Sequence, residues 1–276
     1  MREGEPSRTA FGSAVHRAVH QDLDGGRIFR DPLAWQILGI DREATLADPA
    51  ATERPRLRVF IAARHRFAED TLATAVERGT RQVVVLGAGL DAFAYRNPHA
   101  ETRVFEVDFP ATGAWKRDRL ADAGIAVPDS VTYVGVDFES DDLMSRLVEA
   151  GLDPTAPAFF LWLGVVPYLT WEAVTATLMA IASVPSGEVV FDYTTPTHQL
   201  DAKALSDRTD LIARVAEVGE PLSAGVETEA LHTLLADLGF GEVEDLGRPQ
   251  IRARFLGRQA GSETGGAHLL RARASA

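Results

Sequence analysis

Apolar positions along this chain follow two regimes that meet near residue 80. Before that point they recur at helical spacing, in Phe11–Leu23, Leu33–Ile40 and Glu53–Gly79. Asp31-Pro32 opens the second of these with proline in a favoured first-turn position, and Pro55 and Gly79 mark the start and stop of the third. Beyond it, short apolar runs alternate with helical patterns. Strands are predicted at Gln82–Leu86, Val104–Val107, Val131–Val136, Ala158–Leu163, Val189–Tyr193, Glu242–Leu246 and His268–Arg273. Helices are predicted at Ala111–Ala123, Asp141–Ala150, Trp171–Ser183 and Glu229–Leu238, and the segment Pro196–Pro221 reads as a helical insertion spanning about 196–226. Runs that are apolar at every position suit strands covered on both faces, so the alternation predicts an open, doubly wound α/β sheet. No convincing helix separates the last two strands, which are therefore expected to be antiparallel. The economical organisation is a single domain over 1–276, with a helical cap over 1–79 and a core over 80–276.

Composition narrows the function. The 276 residues are 46% hydrophobic, enough for one large core. A net charge of -12, with arginines scattered among acids, argues against a nucleic-acid partner. There are no cysteines, which excludes disulfides, thiol catalysis and zinc ribbons. Met1–Ala10 is polar and no apolar run reaches the roughly 18 residues of a membrane span, so a soluble, cytoplasmic protein is expected. No His, Asp and Glu cluster has metal-ligand spacing, and no metal is expected.

The candidate chemistry begins at Gly87-Ala88-Gly89, directly after the first strand. Glycines at this spacing let the backbone turn sharply and approach a ligand. Glu106 and Asp108 end the next strand, about 20 residues on, where an acid would reach a ribose diol. A nicotinamide cofactor and S-adenosylmethionine both fit that pattern. Three features favour the methyl donor: the loop follows a long helical prelude, Asp91 would repel a pyrophosphate but suits an amino group, and the closing strands lack a crossover. A nicotinamide-dependent oxidoreductase is the nearest rival.

Arg64 adds an independent signal. At about 100° per residue it falls inside the apolar stripe of Leu57, Phe60, Ile61, Ala68, Leu72 and Ala75. A guanidinium there needs an anionic partner, either a protein acid or the carboxylate of a bound amino-acid moiety.

Taken together, Val83-Val84-Val85-Leu86-Gly87-Ala88-Gly89-Leu90-Asp91, Ala94-Tyr95-Arg96, Phe105-Glu106-Val107-Asp108-Phe109-Pro110 and Lys116 resemble the leucine carboxyl methyltransferase-like family. His16-Arg17-Ala18, Asp31-Pro32-Leu33-Ala34, Ala62-Ala63-Arg64-His65-Arg66-Phe67, Tyr168-Leu169-Thr170 and Leu238-Gly239-Phe240 extend the likeness almost end to end. The resemblance implies a Rossmann-like class I methyltransferase using S-adenosyl-L-methionine. Its seven-stranded, mostly parallel sheet would be ordered 3-2-1-4-5-7-6 with strand 7 antiparallel. It implies that Gly87, Ala88, Gly89 and Asp91 approach the donor, that Asp108 binds the ribose, that Asp137 and Phe138 bracket the adenine, and that Arg64 holds the donor carboxylate. Many bacterial members are assigned to secondary metabolism, which implies a small-molecule or peptide acceptor. One departure stands out: where members often carry Glu, this chain has Leu163. That loss keeps open a catalytically silent, donor-binding protein.

Methyl transfer to a carboxylate needs no base, whereas a hydroxyl needs one within hydrogen-bond reach. Candidates are His16, His20, His65, His198, Tyr168 and Tyr193, with His16 and His20 favoured because they share one face of the cap. Trp162 is a candidate π surface for the sulfonium.

Overall fold

In the computed structural model, which describes residues 7–217, 219–257 and 265–275, the chain begins with a helical cap. The polar segment 1–6 lies outside the described residues. Helix α1 (Arg8–Leu23) starts at Ser7, whose hydroxyl accepts the Ala10 amide. Short helices α2 (Ala34–Leu38), α3 (Arg42–Ala47) and α4 (Pro49–Thr52) lead to the long α5 (Pro55–Glu77), which begins with proline as expected. Helices α3 and α4 are absent from the sequence reading; they are short, and aspartates 41 and 48 cap them.

The core then alternates: β1 (Gln82–Leu86), α6 (Phe93–Arg96), β2 (Arg103–Asp108), α7 (Pro110–Asp122), β3 (Val131–Gly135), α8 (Leu143–Glu149), β4 (Ala158–Trp162), α9 (Trp171–Ala182) and β5 (Glu188–Thr194). Helix α10 (Ala202–Glu217) lies between β5 and the next helix, and the chain leaves helical geometry before 226. Helix α11 (Thr228–Asp237), β6 (Phe240–Leu246), α12 (Arg248–Leu256) and β7 (Ala267–Ala274) close the fold.

The sheet order is β3-β2-β1-β4-β5-β7-β6, with β7 antiparallel to both neighbours. The antiparallel pairing is as expected, but the expectation of no helix between β6 and β7 is overturned. Helix α12 fills that connection, with Pro249 in its first turn and Gly257 in a left-handed C-cap. It buries only Ile251, so it carries little apolar periodicity to read.

Strand alternation divides the core into two layers. Val83, Val85, Phe159, Leu161 and Val190 face α5, meeting Ala63, Phe67, Ala68 and Leu72. Val84, Leu86, Phe160, Trp162 and Phe191 face the opposite layer, with Val174 and Leu178 of α9 and Leu231 of α11. A third cluster joins α1, α2 and α7 through Ala14, Ala18, Ile37, Leu38 and Leu120. The cap is thereby held over the carboxyl ends of β1, β2 and β4, where open α/β sheets bind ligands.

Candidate functional site

A cavity of about 940 Å³ opens between the cap and those strand ends, within the range of small-molecule sites. The Gly87–Asp91 loop, Asp108, Asp137 and Phe138 form part of its wall, Arg64 and His16 reach it from the cap, and Tyr168 closes another side.

The loop is shaped by its glycines. Gly87 has φ +65°, and a Cβ there would lie 2.2 Å from Val165 Cγ2. The missing side chain therefore seats the loop after β4 as well as exposing backbone. The Gly89 amide donates to Asp108 Oδ2 (2.6 Å) and the Phe109 amide to Oδ1 (2.7 Å). These bonds use one lone pair on each oxygen and leave acceptor capacity for hydroxyl donors in the cavity. Burial raises the Asp108 pKa to about 6, with the two amides offsetting only part of that effect.

Asp91 is held differently. Burial pushes its carboxyl up, but the hydrogen bond and charge of His65, helped by Arg17 and Arg96, hold it well below the usual carboxylate range. His65 Nε2 stands 3.3 Å from Asp91 Oδ2, and the Phe93 amide donates to Oδ1 at 2.7 Å. A fixed negative charge beside the loop suits an amino group.

Arg64 lies 3.2 Å from Asp192 through Nη1 and donates to Ser13 Oγ through Nη2 at 2.8 Å. Its Nε is buried without a hydrogen-bond partner. The stripe argument left a protein acid and a ligand carboxylate open. The fold supplies the acid and leaves Nε as an unsatisfied donor. Asp192, missed in the sequence reading, ends an apolar run in β5, and its Oδ1 also accepts the Gly164 amide at 2.5 Å. A carboxylate interrupting a buried strand was the signal available. Leu163 lines the cavity, and the acid beside Arg64 and Gly164 is Asp192 of the neighbouring strand.

Three expected residues lie elsewhere. Glu106 is buried two residues short of the end of β2, bonded to Lys116 Nζ (2.7 Å) and to the Tyr95 hydroxyl (2.6 Å). It borders a smaller pocket of about 170 Å³, which shares Ala88 and Asp108 with the wall of the main cavity. Trp162 is fully buried in the layer facing away from α5, because alternation turns Leu161 and Leu163 to the α5 side, where Leu163 alone of the three lines the cavity. His20, one helical turn from His16, bonds Asp24 through Nδ1 (3.0 Å) and does not line the cavity. Of the other imidazoles and phenols considered, His198 is exposed on a surface pair with Glu227, and Tyr193 bonds Asp245 in the core.

His16 is buried with Nδ1 unpartnered. Burial, reinforced by Arg58 and Arg64, lowers its pKa to about 4. Burial raises that of Tyr168. Glu220, Arg208 and the apolar Leu57, Phe60, Leu211, Val215 and Leu222 complete the wall. These lie on elements whose docking on the sheet is not readable from local pattern. Among the described residues no group of three or more His, Asp or Glu side chains is placed to hold a metal ion. Among them too, no helix is long and apolar enough to cross a membrane.

The leucine carboxyl methyltransferase family matches residues 10–182. A Bacillus subtilis (strain 168) protein named "Putative S-adenosyl-L-methionine-dependent methyltransferase YktD" is 31% identical, with 93% of each chain covered. A Mycolicibacterium smegmatis protein of similar name is 36% identical over 77% of this chain and 72% of its own. Among solved structures, a DUF574 family protein from Streptomyces avermitilis superposes with a TM-score of 0.59 at 18% identity, covering 98% of each chain. An O-methyltransferase family protein from Burkholderia thailandensis gives 0.50 at 14%, covering 96% of this chain and 72% of its own. Of the two cofactors that the glycine loop alone leaves open, these relatives select the methyl donor: the chain belongs to the leucine carboxyl methyltransferase family, and is an S-adenosyl-L-methionine-dependent methyltransferase of Rossmann-like fold.

Proposed function

We propose that this chain methylates an oxygen that arrives already ionised, the carboxylate of a small molecule or peptide, in natural-product tailoring. The observation that carries the choice of a carboxylate is the state of His16. Two imidazoles line the cavity. His65 has both nitrogens engaged, by Ile61 O (2.8 Å) and by Asp91. His16, held to about 4, is a weak base at neutral pH. Tyr168 has its pKa raised and is a poor acid or base there. A carboxylate acceptor needs neither.

The donor, when bound, supplies an activated methyl group on a sulfonium. The residues that would hold it are Asp108 for the ribose, Asp137 and Phe138 for the adenine, Asp91 for the amino group and Arg64 for the carboxylate. Each lines the cavity, and the orphaned Arg64 Nε and the spare Asp108 lone pairs match groups the donor presents. The remaining contribution of the chain is to align the acceptor and exclude water beneath the cap.

Incubation with methyl-labelled donor and a panel of carboxylic acids, phenols and peptide C-termini tests this reading. Label released by mild base, the behaviour of a methyl ester, is the expected result. Turnover confined to phenols, with a pH–rate midpoint near neutrality, would overturn it. Donor binding without transfer to any acceptor would instead support the silent, donor-binding protein.

A further inference from the structure

Among the described residues, most buried cations stand beside an acid. Arg17 is 2.7 Å from Asp31, Arg58 is 2.7 Å from Asp24, Arg64 is 3.2 Å from Asp192, and Lys116 is 2.7 Å from Glu106. Arg208 of α10 departs from the pattern. It is only 8% exposed, its Nε is buried without a partner, and Nη2 reaches a single backbone carbonyl, Ser223 O, at 3.3 Å. Among the described residues no carboxylate lies within ion-pair distance of it. Burial lowers its pKa, and Tyr168 offsets that only in part. A buried guanidinium of this kind is costly unless an anion completes it.

Its placement says what the anion belongs to. Arg208, Leu211 and Val215 recur at helical spacing on α10 and all line the cavity. Leu57 and Phe60 of α5 line the same cavity. None of these five belongs to the glycine loop or the strand ends assigned to the donor.

We propose that Arg208 binds the methyl acceptor, taking an acidic group while the acceptor's apolar body lies against Leu211 and Val215 of α10 and Leu57 and Phe60 of α5. The acceptor class is then an amphipathic carboxylic acid, and the assignment rests on the carboxylate reading above. One charge-assisted hydrogen bond to one carboxylate oxygen leaves the other oxygen free to attack. The new bond joins that oxygen to the methyl carbon, the carbon–sulfur bond breaks, and its electron pair stays on sulfur; no proton moves. The product ester is neutral, so transfer itself removes the ion pair with Arg208 and favours release.

The test uses the full chain saturated with S-adenosylhomocysteine, titrated with decanoate and phenylbutyrate and with their neutral amides, by calorimetry. Both acids should bind about tenfold or more tightly than their amides. Arg208→Gln should erase that preference with S-adenosylhomocysteine affinity unchanged, which also reports that the variant is folded, and Arg208→Lys should keep part of it. Equal binding of acid and amide, an intact preference in Arg208→Gln, or no binding of any of the four would overturn the proposal. Arg208-dependent acid binding with methyl delivered only to a hydroxyl would sink the carboxylate reading and leave the anchor standing. Acid methylation indifferent to Arg208→Gln would do the reverse.

Discussion

Arg64 and Asp192 meet 3.2 Å apart at the edge of the cavity, and Gly164 is the reason they can. Its φ is +76°, and a Cβ built on it would stand 2.6 Å from Arg64 Nη1. Gly164→Ala should therefore cost about 1–3 kcal/mol of stability from backbone strain alone. It should also turn the guanidinium away, weakening S-adenosylhomocysteine about tenfold. Calorimetry beside thermal melts separates the two effects; unchanged affinity in a destabilised variant would show that Arg64 does not touch the donor.

Asp192→Asn probes the same pair from the other side. Breaking a buried ion pair leaves an uncompensated charge, and the ligand-free protein should lose roughly 3 kcal/mol. If the donor's carboxylate also partners Arg64, binding restores part of that loss. The rise in Tm on adding S-adenosylhomocysteine should then be larger in Asp192→Asn than in the unaltered protein. An equal or smaller rise would mean that Arg64 serves the fold alone.

How much of this was legible follows from where the information sits. Strands β1, β2, β4 and β5 are buried almost throughout, so hydrophobic runs announce them. Asp108 and Glu106 share a face of β2, and only depth separates the acid that lines the cavity from the one paired with Lys116. Depth is a property of the assembled sheet. Trp162 follows the same logic: periodicity places it on a strand, but which layer it faces depends on the chain around it. Asp192 was visible locally as a carboxylate in a buried strand, but its role, like that of Arg208, depends on an element distant in sequence, Arg64 for the one and the apolar wall of α5 for the other.

With Asp108 as the proposed ribose ligand, its raised pKa would make donor binding a proton-linked event. Its folded value of about 6 lies above the usual 3.8 of an aspartate. Its contribution to folding is therefore complete below about 3.8 and is lost as pH rises through about 6. The ionised form is the better acceptor for ribose hydroxyls, so binding near pH 6 should release a proton. S-adenosylhomocysteine should bind more weakly at about pH 5 than at neutrality, with a heat that varies with buffer ionisation enthalpy. Asp108→Asn should bind weakly at both and lose the buffer dependence. Affinity indifferent to pH in the unaltered protein would count against the ribose assignment.

His16 has the opposite linkage. Its folded pKa of about 4 lies below the usual 6.5, so its stabilising contribution is present above 6.5 and is lost as pH falls through about 4. The full span amounts to about 3 kcal/mol. His16→Gln should flatten the acid limb of the stability curve across that window. It should also leave the pH–rate profile near neutrality unchanged in shape, because a neutral imidazole is present throughout. A neutral-range midpoint that vanishes in His16→Gln would identify His16 as a base and return a hydroxyl acceptor to consideration.

Glu220 ties the insertion to the cap. It is buried on the loop after α10, and its carboxylate accepts from the Arg8 amide (2.6 Å), the Ser7 hydroxyl (3.0 Å), the Thr9 amide (3.4 Å) and the Thr9 hydroxyl. Those amides open α1, where the helix dipole favours a negative charge. The same loop supplies Pro221 and Leu222 to the cavity wall, so this contact holds in place the side of the cavity proposed for the acceptor. Glu220→Gln keeps the shape but removes the charge, at a cost of about 1–2 kcal/mol. Because the donor residues lie on other elements, the loss should fall on the acceptor: a higher KM, faster amide exchange in α10 and the following loop, and an unchanged Kd for S-adenosylhomocysteine. A variant whose donor affinity falls as much as its acceptor affinity would show that the cap closes over both as one rigid piece, and that Glu220 does not gate the acceptor side alone.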